Sequence, residues 1–572
     1  MIVLLMKTTT ISLLTIALLT AVFGSLGASA QVTARYIITV DPQDPRLDRV
    51  SAHLPVLGNS LQMNPEYAEK LPDRWAKFIT GLTAKDESGK EIKLNYRGGA
   101  RWNIPSPLPR TIDLTYSVHL DHDKEDWEFG PKEAAYAKKD WFFYTGRTLF
   151  IGYPDQKETI VEFKVPEGWS VTTPWEKTPS NAPEMFSAPN FKELTNVGLV
   201  LGKYSERTLR IGGSAVTIAL GQDLAGSMDL FESMLRPLLP RTADFFAGSP
   251  TGKFVILANR DNYTSGGAFI RSVSLVFSEP PSAKETAYLA HILCHEMIHL
   301  WIGNAMHPAD EDHENWLTEG FTDYLSYQIM ADAGLLTRQQ VMDQIAEENK
   351  KYLAAAGHIS MREAGEKKAD NYDLVYSGGF MAAFALDAEI KKASKGKNSF
   401  QTLLRAMYQQ FGVTGNPYTF EDVVQLANQA AGKELSPFFN SYVKGTKIIR
   451  LSEYVTTNKN GGGQRLGNVP DPSGKLSGGV HASLAESSHL RSAGNAKLGT
   501  HWMSAPSPLD CAWITRKPEI VDQSVRSSGP QKFENQVLDG GNWSPSAPKL
   551  RKARVCTTDP LVSEDADQMG VN

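Results

Sequence analysis

The spacing of apolar and polar positions predicts β structure in the first part of the chain. Residues 111–120 alternate strictly, with Ile112, Leu114 and Tyr116 on the apolar side and charged or hydroxyl side chains between them. Residues 92–96 and 159–165 repeat this two-residue period, which is the signature of a half-buried strand. Short strands separated by Pro and Gly predict an N-terminal antiparallel β domain, a sandwich or saddle, over residues 31–202.

The pattern changes to a mixture of strands and helices over residues 203–334. Residues 209–220, 254–258 and 268–277 have the apolar runs of strands, and Met228–Phe246 has the period of an amphipathic helix. Residues 283–293 form an apolar, helix-favouring run without Pro or internal Gly, and a second helical run extends from Glu319 to about Gly334. This order predicts an α+β domain.

Residues 335–456 are predicted to form an all-α C-terminal helical domain. Thr337 with Gln340 and Thr419 with Asp422 have the spacing of capping boxes, which mark helix starts. Residues 457–572 are rich in Gly, Ser and Pro and have little periodicity. They predict an irregular, low-order tail, or a sequence translated in an altered reading frame.

The second half of the α+β region contains the short pattern HExxH, as His295, Glu296 and His299. Residues four apart lie on one face of a helix, so the two imidazoles can bind a single metal ion. Glu296 follows the first ligand directly and would lie beside a water on that metal. The pattern therefore predicts a metal site for hydrolysis on a buried helix.

A hydrolytic zinc site needs a third protein ligand and one open position. Position 305, where a third His could follow, is Ala305, so the candidate ligand is Glu319 on the next helix. Asp323 lies four residues later on the same face and could accept the second N–H of a ligand His. The two helices are predicted to be antiparallel and joined by an acidic loop at residues 310–314. His291, one turn before His295, is predicted to be a packing residue.

The segment HEMIHLWIGN…WLTEGFTDYLS resembles the gluzincin metallopeptidases, and within them the glycyl aminopeptidase family most, with the aminopeptidase N family more distant. The resemblance implies a thermolysin-like α+β catalytic domain at residues 203–334. It also implies that His295, His299 and Glu319 bind one Zn²⁺ and that Glu296 is the catalytic base. The spacer between His299 and Glu319 is one residue longer than in aminopeptidase N relatives.

Residues 376–379, Tyr-Ser-Gly-Gly, resemble the Tyr-x-Lys-Gly sequence of these families, with Gly378 in place of the lysine. A phenol hydroxyl can donate a hydrogen bond to an oxyanion while it stays protonated at neutral pH. Tyr376 is therefore predicted to be the oxyanion donor, and the neighbouring Tyr372 is not.

The sequence departs from the aminopeptidases where they bind the free amine of the substrate. After the glycines at 266 and 267, Phe269 or Ile270 occupies the place expected for a Glu, and an apolar side chain binds ammonium poorly. Three functions stay open: a secreted zinc-dependent metallopeptidase that hydrolyses peptide bonds, an aminopeptidase with a non-standard amine anchor, for example Glu314 or Asp310, and a secreted zinc-containing peptide-binding protein with weak or no turnover. Exopeptidase specificity is therefore not predicted.

Composition adds bounds rather than a function. The 572 residues are 41% hydrophobic and 22% charged, which is an ordinary globular composition with length for about three domains. The formal net charge of −5 is small, and without a basic face nucleic-acid binding is not expected. The predicted partner is a peptide or protein substrate.

Residues 1–30 have the sequence of a cleavable signal peptide. Lys7 precedes an apolar core at residues 11–23, and Ala28-Ser29-Ala30 is a small-residue cleavage site. The mature chain is expected to be secreted or periplasmic and to have no stable membrane span, with an uncleaved anchor helix as the alternative. Cys294 is predicted to be a buried, non-ligating residue, and Cys511 and Cys556 could pair in an oxidising compartment.

Overall fold

The computed structural model describes residues 32–41, 43–125, 127, 134–179, 184–282, 286–454, 456–457 and 466–467. The predicted signal peptide, Cys511, Cys556 and nearly all of the predicted tail lie outside these residues. Within the predicted tail, a two-residue strand at Leu466–Gly467 pairs with one at Thr456–Thr457.

The N-terminal part is a β domain, as its alternating pattern predicts. Its elements are β1 Ala34–Val40, β2 Leu47–Pro55, β3 Ser60–Gln62, β4 Ile79–Asp86, β5 Asn95–Gly98, β6 Arg101–Asn103, β7 Thr111–His119, β8 Tyr136–Lys138, β9 Trp141–Thr145, β10 Thr159–Lys164, β11 Ser170–Thr172, β12 Glu176–Lys177, β13 Met185–Ala188, α1 Phe191–Thr195 and β14 Gly198–Gly202. The largest sheet has seven strands in the order β12-β13-β10-β1-β2-β7-β4, a second has the order β11-β14-β9-β8, and a third has the order β3-β6-β5. The sheets are not wholly antiparallel, because β1 and β10 pair in parallel.

A five-stranded sheet follows the β domain. The elements of this region are β15 Tyr204–Ile211, β16 Ser214–Gly221, α2 Met228–Phe246, β17 Lys253–Arg260, β18 Ser265–Phe269 and β19 Ser272–Phe277. The strand order is β15-β16-β17-β19-β18. Two of the predicted strands are wrong in detail, because each is a hairpin. Residues 209–220 turn at Gly212 and Gly213, which both have positive φ, and residues 268–277 turn at Ile270 and Arg271. A tight turn preserves the apolar pattern on both sides, so periodicity does not reveal it.

The rest of the described chain, from residue 286 to 454, is helical. The capping boxes predicted at Thr337 and Thr419 are both present. Among the residues that the structure describes, no helix combines the length and the apolar composition needed to cross a bilayer. The helices are α3 Thr286–Ile298, α4 Glu311–Asp332, α5 Arg338–Ala355, α6 Met361–Gly365, α7 Tyr372–Ala393, α8 Phe400–Met407, α9 Phe420–Ala431 and α10 Ser436–Tyr442.

The acidic loop predicted at residues 310–314 is instead the start of α4. Asp310 is the N-cap of this helix, and its carboxylate accepts a hydrogen bond from the backbone N–H of His313. Glu311, Asp312 and Glu314 lie in the first turn, where acidic side chains are stabilised by the helix dipole. The connection between α3 and α4 is therefore the segment 299–310.

Helices α4 and α7 cross at two glycines whose backbones touch. A Cβ added at Gly320 would lie 2.5 Å from the backbone nitrogen of Phe380, and one added at Gly379 would lie 2.9 Å from the Cα of Gly320. Such distances leave no room for a side chain at either position. Glu319 directly precedes Gly320 on α4, and Tyr376 lies three residues before Gly379 on α7.

An apolar cluster joins the β domain to the five-stranded sheet. Phe269, at the end of β18, lies 3% exposed in this cluster. Its ring centroid is 6.1 Å from that of Phe143 on β9, and the cluster also contains Val255 and Leu257 of β17. The edge strand β18 is therefore held against the β domain.

Candidate metal centre

His295 and His299 project from one face of α3 toward the carboxylate of Glu319. Their Nε2 atoms are 3.0 Å apart, and each lies 3.4 Å from Oε2 of Glu319. All three side chains are nearly buried, with exposed fractions of 7–9%. The structure therefore brings together the same three residues that the sequence analysis selected.

The other nitrogen of each imidazole faces an acceptor. Nδ1 of His295 is 2.8 Å from Oδ1 of Asp323, and Nδ1 of His299 is 3.0 Å from the carbonyl oxygen of Ile302. In a neutral imidazole, an Nδ1–H that donates to these acceptors leaves the lone pair on Nε2. Burial opposes protonation, but the Asp323 and Glu319 carboxylates raise the pKa of His295 to about 10, so metal binding requires the loss of that proton. Asp323 is thus placed where its carboxylate can accept a hydrogen bond from His295.

This arrangement fits a bound zinc ion. With both imidazoles neutral, two lone pairs and a carboxylate oxygen approach one another to 3.0–3.4 Å, and a cation between them relieves the repulsion. Zinc with ligands at about 2.0–2.1 Å in tetrahedral geometry sets its ligand atoms about 3.3 Å apart. The nitrogen and oxygen donors are also those that zinc prefers.

The charges of the site favour an anionic Glu319. Burial alone would raise the pKa of its carboxyl group, but Lys368 and the two histidines lower this pKa well below the usual range. Asp323 behaves in the same way, because contact with His295 and His291 outweighs burial and lowers its pKa. Both carboxylates therefore stay ionised at neutral pH.

His291 packs as predicted, and it also has a polar neighbour. Its ring stacks on Tyr327 with centroids 4.4 Å apart, and its Nε2 lies 3.2 Å from Oδ1 of Asp323. His291, His295 and Asp323 form a second close group of potential metal-binding side chains. Because the same Asp323 oxygen lies 2.8 Å from Nδ1 of His295, His291 is best described as part of the surroundings of the first site. Cys294 is buried on the same helix, and its Sγ lies 3.8 Å from the carbonyl oxygen of Ser326.

Glu296 lies between the histidines and the edge strand β18. Its side chain fills the space in front of Gly266, where an added Cβ would lie 2.6 Å from Cγ and 2.7 Å from Cδ of Glu296. The glycine is therefore what lets the carboxylate rest against the strand. A peptide paired with the edge of β18 would pass beside this carboxylate.

Replacing Gly266 by alanine is expected to lower kcat by about 100-fold, because the new methyl group displaces the Glu296 carboxylate, and an error of about 1 Å costs that much. Zinc content and stability should change little, since Glu296 is not one of the converging ligands. Steady-state kinetics and metal analysis measure both effects. Gly226→Ala is the control, because a Cβ there meets no atom within 4 Å. An unchanged kcat in Gly266→Ala would contradict this placement of the base.

Tyr376 lies next to the three converging side chains. Its ring is roughly parallel to that of His295, with centroids 6.3 Å apart, and it stacks with the ring of Tyr372 at 4.1 Å. Burial first, and then the negative charges of Glu319 and its neighbours, raise the pKa of Tyr376 well above the usual value. The phenol therefore stays protonated and can donate a hydrogen bond.

Gly378, where related sequences have a lysine, faces away from the site. A Cβ there would meet the side chains of Leu374, Tyr352 and Met361 at 3.2–3.5 Å, among the packed residues between α5, α6 and α7. The glycine therefore removes no charged group from the metal centre.

The positions considered for binding a substrate amine have other roles. The side chain of Phe269 is in the cluster between the domains, and Ile270 packs against the β domain. Glu314 is 1% exposed and is held by Arg362 at 2.8 Å and by the indole N–H of Trp316 at 2.9 Å. Asp310 caps α4 and lies 2.9 Å from Nδ1 of His313.

One charged residue of the site has no counterpart in the sequence motifs. Lys368, in the connection between α6 and α7, donates a hydrogen bond to Oε1 of Glu319. No spacing rule points to it, because it lies in an irregular segment. Only the fold places it beside Glu319.

Comparison with known families and structures agrees with this architecture. Residues 71–203 match the peptidase M61 N-terminal domain, and residues 263–442 match the peptidase family M1 domain. A search of curated proteins found no match.

Solved structures share the fold at low identity. An aminopeptidase N family protein from Idiomarina loihiensis aligns with a TM-score of 0.64 and 17% identity, over 74% of this chain and 79% of that chain. An M1 zinc metallopeptidase from Deinococcus radiodurans aligns with a TM-score of 0.52 and 16% identity, over 73% and 95%. A point mutant of the Deinococcus protein was solved with a bound Tyr-Ser-Ala substrate.

Proposed function

We propose that this chain hydrolyses peptide bonds at one zinc ion held by His295, His299 and Glu319. The premise is its assignment to the gluzincin metallopeptidases, which rests on a peptidase family M1 domain that follows a peptidase M61 N-terminal domain in the sequence. The catalytic domain is proposed to be thermolysin-like. The observation that carries the proposal is the approach of two Nε2 atoms and one carboxylate oxygen to within 3.4 Å.

Zinc bound at these ligands would supply a Lewis acid that polarises the scissile carbonyl and acidifies a water molecule. Glu296, which lies against β18, takes a proton from the attacking water and delivers it to the leaving amine. Tyr376 donates a hydrogen bond to the oxyanion that forms at the carbonyl. Asp323 and the Ile302 carbonyl hold the two imidazoles in the tautomer that the site requires.

The substrate is proposed to be an extended peptide that adds to the edge of β18. This strand is the last of its sheet, and its Gly266 adjoins Glu296. Backbone pairing at a sheet edge binds peptides largely without regard to side chains. With Phe269, Glu314 and Asp310 all engaged elsewhere, we propose that hydrolysis does not depend on a free N-terminus.

Digestion of matched peptides, each with a free or an acetylated N-terminus, tests this proposal. Both forms are expected to be cut at similar rates, because the anchors considered for a free amine are committed to structural contacts. Removal of the metal with a chelator should abolish cleavage of both forms, and added zinc should restore it, because the peptide-bond chemistry requires the ion. Chromatography with mass spectrometry identifies the cuts.

The other outcomes point to the other functions. Cleavage of the free forms alone would show an aminopeptidase whose amine anchor lies elsewhere. A zinc-loaded protein that cuts neither form would be a zinc-containing peptide-binding protein. The location of the reaction is proposed from residues 1–30, whose signal-like sequence favours the periplasm or the medium.

A further inference from the structure

The two oxygens of the Glu319 carboxylate have different partners. Oε2 lies 3.4 Å from Nε2 of His295 and of His299, while Oε1 accepts a hydrogen bond from Nζ of Lys368. The lysine side chain is mostly buried, with 20% of it exposed. The ammonium group is thus bonded to the carboxylate oxygen that does not contact the histidines.

This division matters because a carboxylate can bind a metal through one oxygen or through both. A second oxygen on zinc would take the position that water or the substrate carbonyl needs. To bind zinc through both oxygens, the carboxylate would have to rotate. The charge-assisted hydrogen bond from Lys368 to Oε1 opposes this rotation, because the bond would have to be broken first. The contact therefore keeps a single oxygen directed at the histidines.

Lys368 also contacts the tyrosine predicted to stabilise the oxyanion. Its Nζ lies 5.4 Å from the centroid of the Tyr376 ring, over the face, within the range of a cation–π interaction. One ammonium group thereby links α4, which carries Glu319, to α7, which carries Tyr376.

The charge of the site gives the lysine a second effect. Glu296, Glu319 and Asp323 bring three carboxylates close to the histidines, and the zinc ion alone leaves one negative charge uncompensated. The ammonium group of Lys368 supplies the positive charge that compensates it.

We propose that Lys368 is a positioning residue of the zinc centre: it holds Glu319 as a one-oxygen ligand and so keeps a coordination position open for the substrate. The proposal rests on the proposed function, because it assigns a role to a residue beside the zinc ligands. It goes beyond the motifs, since neither HExxH nor the Tyr-x-Lys-Gly sequence contains this lysine.

The zinc dissociation constant tests the proposal apart from catalysis. Lys368→Met should raise this constant by about 10-fold, because loss of a residue that orients a ligand costs about 10- to 100-fold in metal affinity or activity. Lys368→Arg should restore most of the affinity, since it keeps the charge and the donors. Competition with a chromogenic chelator measures the constant without any substrate.

Kinetics and the spectrum of the cobalt-substituted protein complete the test. Lys368→Met should lower kcat by about 10- to 100-fold with a smaller change in KM, and should weaken the visible cobalt absorption if Glu319 becomes a two-oxygen ligand. Lys367→Met, at the exposed neighbouring lysine, is the matched control and should behave as wild type in all three measurements.

A wild-type zinc affinity and kcat in Lys368→Met would overturn the proposal. A lower melting temperature with unchanged zinc affinity would also overturn it, because that result describes a purely structural lysine. Should Lys368→Met fold poorly, Lys368→Gln provides the same test with a polar side chain. If the wild-type protein binds zinc but cuts no peptide, the proposed function fails, while the predicted loss of zinc affinity can still be measured.

Discussion

Replacing Glu296 by glutamine is expected to lower kcat by roughly 1,000-fold, within the range of about 100- to 10,000-fold for a lost general base. Glutamine has nearly the same shape and fits the same space in front of Gly266, but it cannot accept a proton at neutral pH. The bound zinc should stay at one ion per chain, because Glu296 is not among the three converging ligands. Steady-state kinetics and metal analysis on the same sample measure both quantities.

Glu421→Gln is the control for the loss of a carboxylate elsewhere. Its side chain is 76% exposed and pairs with Lys444 on the surface, so kcat should be unchanged. Equal activity of Glu296→Gln and wild type would remove this residue from the mechanism. Loss of zinc in Glu296→Gln would show that the side chain helps to hold the ion.

Replacing Gly320 by alanine is expected to destabilise the fold by about 2 kcal/mol. Alanine is intrinsically better than glycine in a helix by about 1 kcal/mol. However, its methyl group would lie 2.5 Å from the backbone nitrogen of Phe380, and overpacking of this kind costs about 3 kcal/mol. Backbone atoms cannot rotate away as a side chain can, so α4 and α7 must separate. Urea unfolding measures the free-energy change.

The same substitution should also weaken the metal site, because α4 carries Glu319 and α7 carries Tyr376. Gly378→Ala, next to the crossing on α7, is the matched control. The three atoms nearest to its methyl group would be Cδ1 of Leu374, Cδ2 of Tyr352 and Cε of Met361 at 3.2–3.5 Å, so the closest contacts are side-chain atoms and none is as short as those at Gly320. Its stability should lie within about 1 kcal/mol of wild type. A fully stable Gly320→Ala protein would show that the two helices separate easily.

Those parts of the site that depend on local spacing could be predicted from the sequence. His295 and His299 face the same way because four residues make about one helical turn, and the same rule places Asp323 beside the ligand histidine once Glu319 is chosen. The structure brings these residues together at hydrogen-bonding or ligand distances. The β character of the first domain is also a local property, since alternation shows which faces are buried.

Features that depend on tertiary contact could not be predicted in this way. Lys368 lies in an irregular segment forty-nine residues from its partner Glu319, and no period connects them. The hairpins at residues 209–220 and 268–277 keep their apolar pattern through the turn. The acidic residues after Asp310 have the composition of a loop, but the N-cap hydrogen bond makes them the first turn of α4.

The position of Phe269 has a consequence for any attempt to shorten the protein. Its ring is packed against Phe143 of the β domain, while the strand that carries it also supports Glu296 through Gly266. A fragment that lacks residues 32–202 would expose the aromatic surface around Phe269, and exposed apolar surface causes aggregation. It would also remove the contact that holds β18 next to Glu296. The β domain, which contains most of the M61-type segment at residues 71–203, should therefore be kept in any shortened form of the protein.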